Sequence, residues 1–307
     1  MIKTLRIKNP RFKLENVRVL HLEPTSRCNA ACPQCSRFLD DGITIDPSLQ
    51  LVDLPLETVQ RVLSTEFVLQ LKKMFMCGNY GDPAASIHTL QIYDWFREIN
   101  PSIELGMNTN GSLKTASWWS ELGTKIYKEK DFCIFSIDGL QDTNHIYRRN
   151  TNFDKIINNA QSFIAAGGRA VWDMLIFKHN EHQVETAKQL AKELGFVQFR
   201  AKVSRRFLSR AVDGIEPPTD FNENVFFTNE ISCQALRDGS LYMDHLGRLV
   251  PCCYIGDIDN KLTYTDFPNI INSWKTSNPL KKCVNSCSIY NKKTNFIRQW
   301  VYEEKFK

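Results

Sequence analysis

The sequence predicts an α/β fold in which six βα units form a partial (β/α)6 barrel, followed by a small cysteine-rich domain. Three observations lead there. Short apolar runs alternate with helical patterns through the first two hundred residues, and that rhythm stops beyond residue 220. Of ten cysteines, three fall within residues 28–35 and five lie beyond residue 220. Strands alternating with helices of this length favour a parallel sheet built from right-handed crossovers.

The elements follow in order. Apolar residues 17–22 read as the first strand and 56–67 as a helix, on the helical spacing of Leu56, Val59 and Leu63. Strands over 71–77, 103–107, 132–137, 170–177 and 196–201 alternate with helices over 87–99, 116–128, 153–166 and 183–194. Gly167-Gly168 and Gly195 stop the last two helices. The expected division is an N-terminal extension over 1–16, a core over 17–203, a turn-rich linker over 204–220 and a C-terminal domain over 221–307, with a hairpin at 240–252. In such sheets chemistry sits at the carboxyl ends of the strands.

At 307 residues, 42% hydrophobic and 24% charged, the chain is ordinary globular material that needs no covalent staples. The first residues hold no signal-like apolar core and no run reaches membrane-spanning length, so the expected compartment is a reducing cytosol and no membrane contact is expected. There, clustered cysteines mean metal or catalysis before disulfides.

The first strand runs into Cys28-Asn29-Ala30-Ala31-Cys32-Pro33-Gln34-Cys35. A tight loop with these gaps turns three sulfurs toward one centre, and thiolates are the standard ligands of iron–sulfur clusters. Three ligands leave one iron of a cubane open for a small molecule. Zinc, with His21 as a fourth ligand, is the alternative.

This Cys-x3-Cys-x2-Cys loop after strand one resembles that of the radical S-adenosylmethionine (SAM) superfamily, over roughly residues 17–200. The resemblance implies a TIM-like partial barrel and a [4Fe–4S] cluster on Cys28, Cys32 and Cys35. The open iron would chelate SAM, whose reductive cleavage gives a 5′-deoxyadenosyl radical that abstracts hydrogen from substrate. The family usually has an aromatic residue before the third cysteine, where Gln34 stands here. Gly81 and Asp82, after strand two, resemble the segment that meets the SAM amino group, with Asp in place of the usual Glu. Asn108 and Asn110, in Asn-Thr-Asn-Gly after strand three, and Ser136 and Asp138, in Ser-x-Asp-Gly after strand four, are similar to further SAM contacts. Arg148 or Arg149 resembles a partner for the SAM carboxylate. Taken alone, these are turn residues and loop charges.

Ser136 and Asp138 share one strand face, which leaves Cys133 among core residues. Trp172, Met174 and Ile176 belong to a barrel strand, with a core role as the default. Cys77 reads as a buried strand-end thiol. His145, His179 and His182 are candidate bases whose default is surface or capping.

Cys233, thirteen residues, Gly247, four residues and Cys252 resemble the opening of SPASM and twitch domains, which carry auxiliary clusters. The count fits one auxiliary [4Fe–4S] cluster, on Cys233, Cys252, Cys283 and Cys287, with Cys253 spare. Structural zinc on the same thiolates is the alternative. The implied activity is peptide or protein modification by oxidation or cross-linking, with dehydrogenation of an amino sugar or other small alcohol as the alternative. An electron donor such as flavodoxin or ferredoxin is implied. The rival of another class is a zinc-containing nucleic-acid-binding protein, using the basic stretch 202–207 and Lys281-Lys282. A net charge of +5 gives that rival little support.

Overall fold

The structure is a computed structural model. It describes residues 12–208, 210–221, 226–227, 231–256, 261–276, 278–290 and 300–306. Strand β1 (Val19–Leu22) is followed by α1 (Leu56–Val62) and α2 (Thr65–Gln70). The single helix expected over 56–67 is divided because the Ser64 hydroxyl accepts from Phe67 N at 3.2 Å, capping a new start. Then come β2 (Lys73–Met76), α3 (Thr89–Ile99), β3 (Glu104–Thr109), α4 (Ala116–Lys125) and β4 (Phe132–Ser136). A short α5 (Asn144–Tyr147) precedes α6 (Phe153–Ala165), β5 (Ala170–Ile176), α7 (Val184–Glu193) and β6 (Gln198–Val203). Strands β1 to β6 are parallel sequential neighbours, so the six expected barrel strands and the helices between them are present.

Alternation along these strands sorts the side chains. Leu20, Met74, Met107, Phe135, Trp172 and Phe199 are fully buried in one core with the helices. Cys133, Met174 and Ile176 join them, as their strand faces require. The opposite face is rich in half-buried polar groups, Lys73, Glu104, Ser136, Asp173, Arg200 and Lys202, set among Phe75, Phe132 and Leu175. A Lys73–Glu104 pair at 2.6 Å and a bidentate Arg200–Asp173 pair at 2.7 and 2.8 Å cross it. A parallel sheet of the ordinary doubly wound kind is apolar on both faces. An inner face rich in polar groups is what a half-barrel presents to a ligand.

Beyond residue 220 the chain adds β7 (Phe226–Phe227), α8 (Gln234–Asp238), β8 (Ser240–Met243) and β9 (Leu249–Val250). These are followed by α9 (Phe267–Ser273), α10 (Lys281–Cys287), β10 (Ile289–Tyr290) and β11 (Trp300–Lys305). The expected hairpin is β8–β9, and β7 pairs with β10. This region has a small core of its own around Phe267, Ile271 and Trp274. Its strands nevertheless extend the barrel sheet. β8 runs parallel to β1, with Leu22 opposite Met243, and β11 runs antiparallel to β6. The order is β11-β6-β5-β4-β3-β2-β1-β8-β9, so both edges of the six-stranded sheet are covered from the C-terminal region. Among the described residues no helix is long and apolar enough to cross a membrane.

Candidate active site

The cysteine loop leaves β1 at Glu23 and is pinned from several sides. Ser26 Oγ donates to Gln50 O at 2.6 Å, and Ala31 N donates to Arg149 O at 2.9 Å. Arg37 Nη1 bonds Cys28 O at 2.9 Å, and Arg210 Nη1 bonds Cys35 O at 2.7 Å. Arg210, from the expected linker, therefore turns inward onto the loop. Cys28, Cys32 and Cys35 gather in one small cluster with Ala30, Tyr147 and Phe177. Burial pushes the Cys28 thiol up to about 12, and the charges of Asp82, Cys32 and Cys35 add to it. Burial raises Cys32 as well, opposed first by the Arg148 guanidinium. Desolvated thiols beside one another ionise only with positive charge among them, which is what a cluster's irons provide. Among the described residues no three His, Cys, Asp or Glu side chains close as tightly as ligands of one ion do. A four-iron cluster spreads its ligands more widely. The donor set fits such a cluster.

The strand ends surround this loop. Gly81 lies so close that a Cβ there would sit 1.9 Å from Thr25 O. Asp82 is 5% exposed, and both its oxygens are occupied: Oδ1 accepts from Ala84 N and Thr109 Oγ1, and Oδ2 from Asn110 N at 2.7 Å. Its carboxylate ties the β2 and β3 ends together. Asn110 Nδ2 reaches Cys28 Sγ at 3.6 Å. Asn108 and Ser136 are half-buried on the polar face. Asp138 is fully buried, and its Oδ2 takes Arg148 Nε at 2.6 Å. Arg148 Nη1 then lies 3.7 Å from Cys32 Sγ. Gln34 turns to the β6 end, donating to Arg210 O and accepting from Ser204 Oγ at 3.1 Å. Every expected core site residue thus falls at the carboxyl-end mouth of the half-barrel.

No protein-family model matches the chain, and no curated protein does. Among solved structures it is similar to Streptococcus suis SuiB bound to S-adenosylmethionine, at TM-score 0.57 and 13% identity over 85% of this chain and 66% of SuiB. It is also similar to anSMEcpe with bound AdoMet, at TM-score 0.55 and 14% identity over 82% of this chain and 77% of that one. The fold is that of the radical SAM enzymes. This chain spans about two thirds of the length of SuiB.

Within the radical SAM fold one residue was not foreseen. Glu23, at the end of β1, is fully buried. Its Oε1 accepts from Tyr80 N at 2.7 Å and Gly81 N at 3.0 Å, and its Oε2 accepts from the Tyr242 hydroxyl on β8. His245 Nδ1, in the hairpin turn, stands 3.9 Å away. Glu23 therefore joins the glycine loop to the C-terminal hairpin. The strand-end rule that selected Asp138 also covers Glu23, but no motif drew attention to it. Glu23→Ala is expected to leave three buried donors unsatisfied and cost about 2 kcal/mol or more, read as a lower denaturation midpoint. Tyr242→Phe, which deletes one donor, should cost less.

His21 is engaged elsewhere: its Nε2 meets Cys77 O and its ring stacks on Phe75 at 4.6 Å. His145 and His182 are exposed. His179 stacks on Phe177, and burial pushes its pKa down.

The C-terminal cysteines frame a second place. Cys233, Cys252, Cys283 and Cys287 line one small cavity, with Phe267 and Trp274 as apolar walls. Burial pushes the Cys233 thiol up to about 11 and Cys283 to about 12. The Trp274 indole N–H, with no other partner among the described residues, faces the Cys283 sulfur. Cys253 does not line this cavity, and its carbonyl accepts from Asn79 Nδ2 at 2.7 Å.

Proposed function

We propose that the chain is an enzyme that cleaves S-adenosylmethionine reductively at a [4Fe–4S] cluster on Cys28, Cys32 and Cys35 and modifies a peptide or protein. The observation that carries this reading is the gathering of three loop thiols at the mouth of a half-barrel whose inner face is rich in polar groups. When bound, the cluster and SAM supply a 5′-deoxyadenosyl radical able to abstract hydrogen from substrate. The chain's own residues shape the place for this. Gly81 brings the backbone of the glycine loop against the cysteine loop, and Glu23 and Asp82 hold it from beneath. The Ser136 hydroxyl, without a side-chain partner among the described residues, offers a polar contact at the mouth. The peptide reading draws support from SuiB bound to its precursor peptide SuiA and anSMEcpe bound to Cp18Cys peptide, which share this fold.

Cys233, Cys252, Cys283 and Cys287 would hold an auxiliary [4Fe–4S] cluster, able to take the electron left on an oxidised or cross-linked product. A flavodoxin- or ferredoxin-type donor would supply the first electron.

Anaerobic purification should yield about eight irons with matching sulfide per chain, and 5′-deoxyadenosine should form from SAM under reduction. A Cys283→Ala/Cys287→Ala variant should fall to about four irons and keep SAM cleavage. Zinc without iron in the wild-type protein would sink the proposal.

A further inference from the structure

Two residues that resemblance assigns to SAM direct their hydrogens at sulfur. Asn110 Nδ2 is 3.6 Å from Cys28 Sγ, and Arg148 Nη1 is 3.7 Å from Cys32 Sγ. Neither side chain is free to turn. The Asn110 amide also donates to Asn29 Oδ1 at 3.0 Å and accepts from Ser112 N at 2.8 Å, which settles its orientation. Arg148 is anchored through Nε on Asp138, whose other oxygen accepts from Leu175 N at 2.6 Å. The Arg148 side chain is 17% exposed and that of Asp138 is not exposed at all. This is a charge-assisted pair in a dry setting, where direction is kept.

We propose that Asn110 and Arg148 are positioning residues that donate hydrogen bonds to the Cys28 and Cys32 sulfurs and so set the reduction potential of the cluster those cysteines hold. The inference rests on the cluster reading above. An electron added to an iron–sulfur cluster spreads negative charge onto its sulfurs. Donors and a cation beside those sulfurs favour the reduced form more than the oxidised one, which raises the potential. Cys32 is buried and Cys28 half-buried, so water solvates the charge poorly there, and these two N–H groups supply donors in its place. Arg148 is then committed to Asp138 and Cys32 before any ligand carboxylate arrives.

The test uses the full-length holoenzyme, purified anaerobically, as wild type, Asn110→Asp, Arg148→Met, Arg148→Lys and the Asn110→Asp/Arg148→Met pair. Asn110→Asp keeps the acceptor for Ser112 N and removes the donor. Iron and sulfide counts establish that each variant carries its cluster. EPR-monitored titration gives the midpoint potential, and equilibrium binding gives the SAM affinity. The expected result is a downward shift of the midpoint in Asn110→Asp and in Arg148→Met, a larger one in the pair, and unchanged SAM affinity. Arg148→Lys, which retains the charge beside Asp138, should fall between wild type and Arg148→Met, and it serves if Arg148→Met does not fold. An unchanged midpoint overturns the inference, whether SAM affinity drops, marking the two residues as SAM contacts, or stays the same. A wild-type protein without iron overturns the cluster reading itself, and the metal count tells that failure apart.

Discussion

A variant with Cys28, Cys32 and Cys35 all replaced by alanine is expected to fold yet release no 5′-deoxyadenosine from S-adenosylmethionine. The three sulfurs lie in a small satellite cluster, apart from the main core that packs the helices onto the sheet. Their removal trims a loop that backbone and arginine bonds hold in place independently, through Ala31, Arg37 and Arg210. The stability loss should therefore be about 1–2 kcal/mol, on the scale of small deletions in partly buried positions. The chemical loss should be complete, since no other described set of three cysteines faces the carboxyl ends of the strands. Iron should drop by about four per chain, leaving the share bound near Cys233 and Cys283. Retained SAM cleavage in a folded triple variant would end the proposed function.

Gly81→Ala is expected to be severely damaging. The new Cβ would sit 1.9 Å from Thr25 O and 3.0 Å from Arg27 O. Both obstacles are backbone, so no rotamer change relieves them. Asp82 N also donates to Arg27 O at 2.8 Å, which stitches the two loops together at the same point. The loops must part, and that breaks the Glu23 bonds to Tyr80 N and Gly81 N. A loss of about 3 kcal/mol or more follows from forced overpacking against fixed backbone. It should appear as a melting temperature lower by about 6–10 °C. SAM binding should weaken beyond what the fraction unfolded explains, because the displaced segment is the one expected to meet the ligand. Wild-type stability and affinity in this variant would mean that the two loops are not in contact as described.

What could be read from the sequence was set by range. The six barrel strands with the helices between them and the three-cysteine loop depend on periodicity and spacing within a few residues, and both stood out. Ser64 is equally local: it is a cap signal inside a helical pattern, outweighed by the apolar spacing of Leu56, Val59 and Leu63. The pairing of β8 with β1 and of β11 with β6 joins residues far apart in the chain, and nothing in either segment names its partner. The same limit applied at the mouth of the barrel. Residue type identified Asp82, Asp138, Asn110 and Arg148 as polar strand-end groups. It could not show that Asp82 is engaged by Thr109 and Asn110, or that Arg148 is gripped by Asp138. Glu23 escaped notice because its partners, Tyr80, Gly81 and Tyr242, come from three different segments.

The covered edges of the sheet bear on how the chain is made. A ribosome delivers β1 long before β8 and β6 long before β11, so both outer strands of the nascent half-barrel wait with unpaired backbone groups. Open strand edges invite pairing with other chains, and contacts between distant segments form slowly. Synthesis of this protein therefore includes an interval in which a nearly complete barrel is vulnerable to aggregation. Chaperone supply and translation rate should govern how much of it reaches the native state.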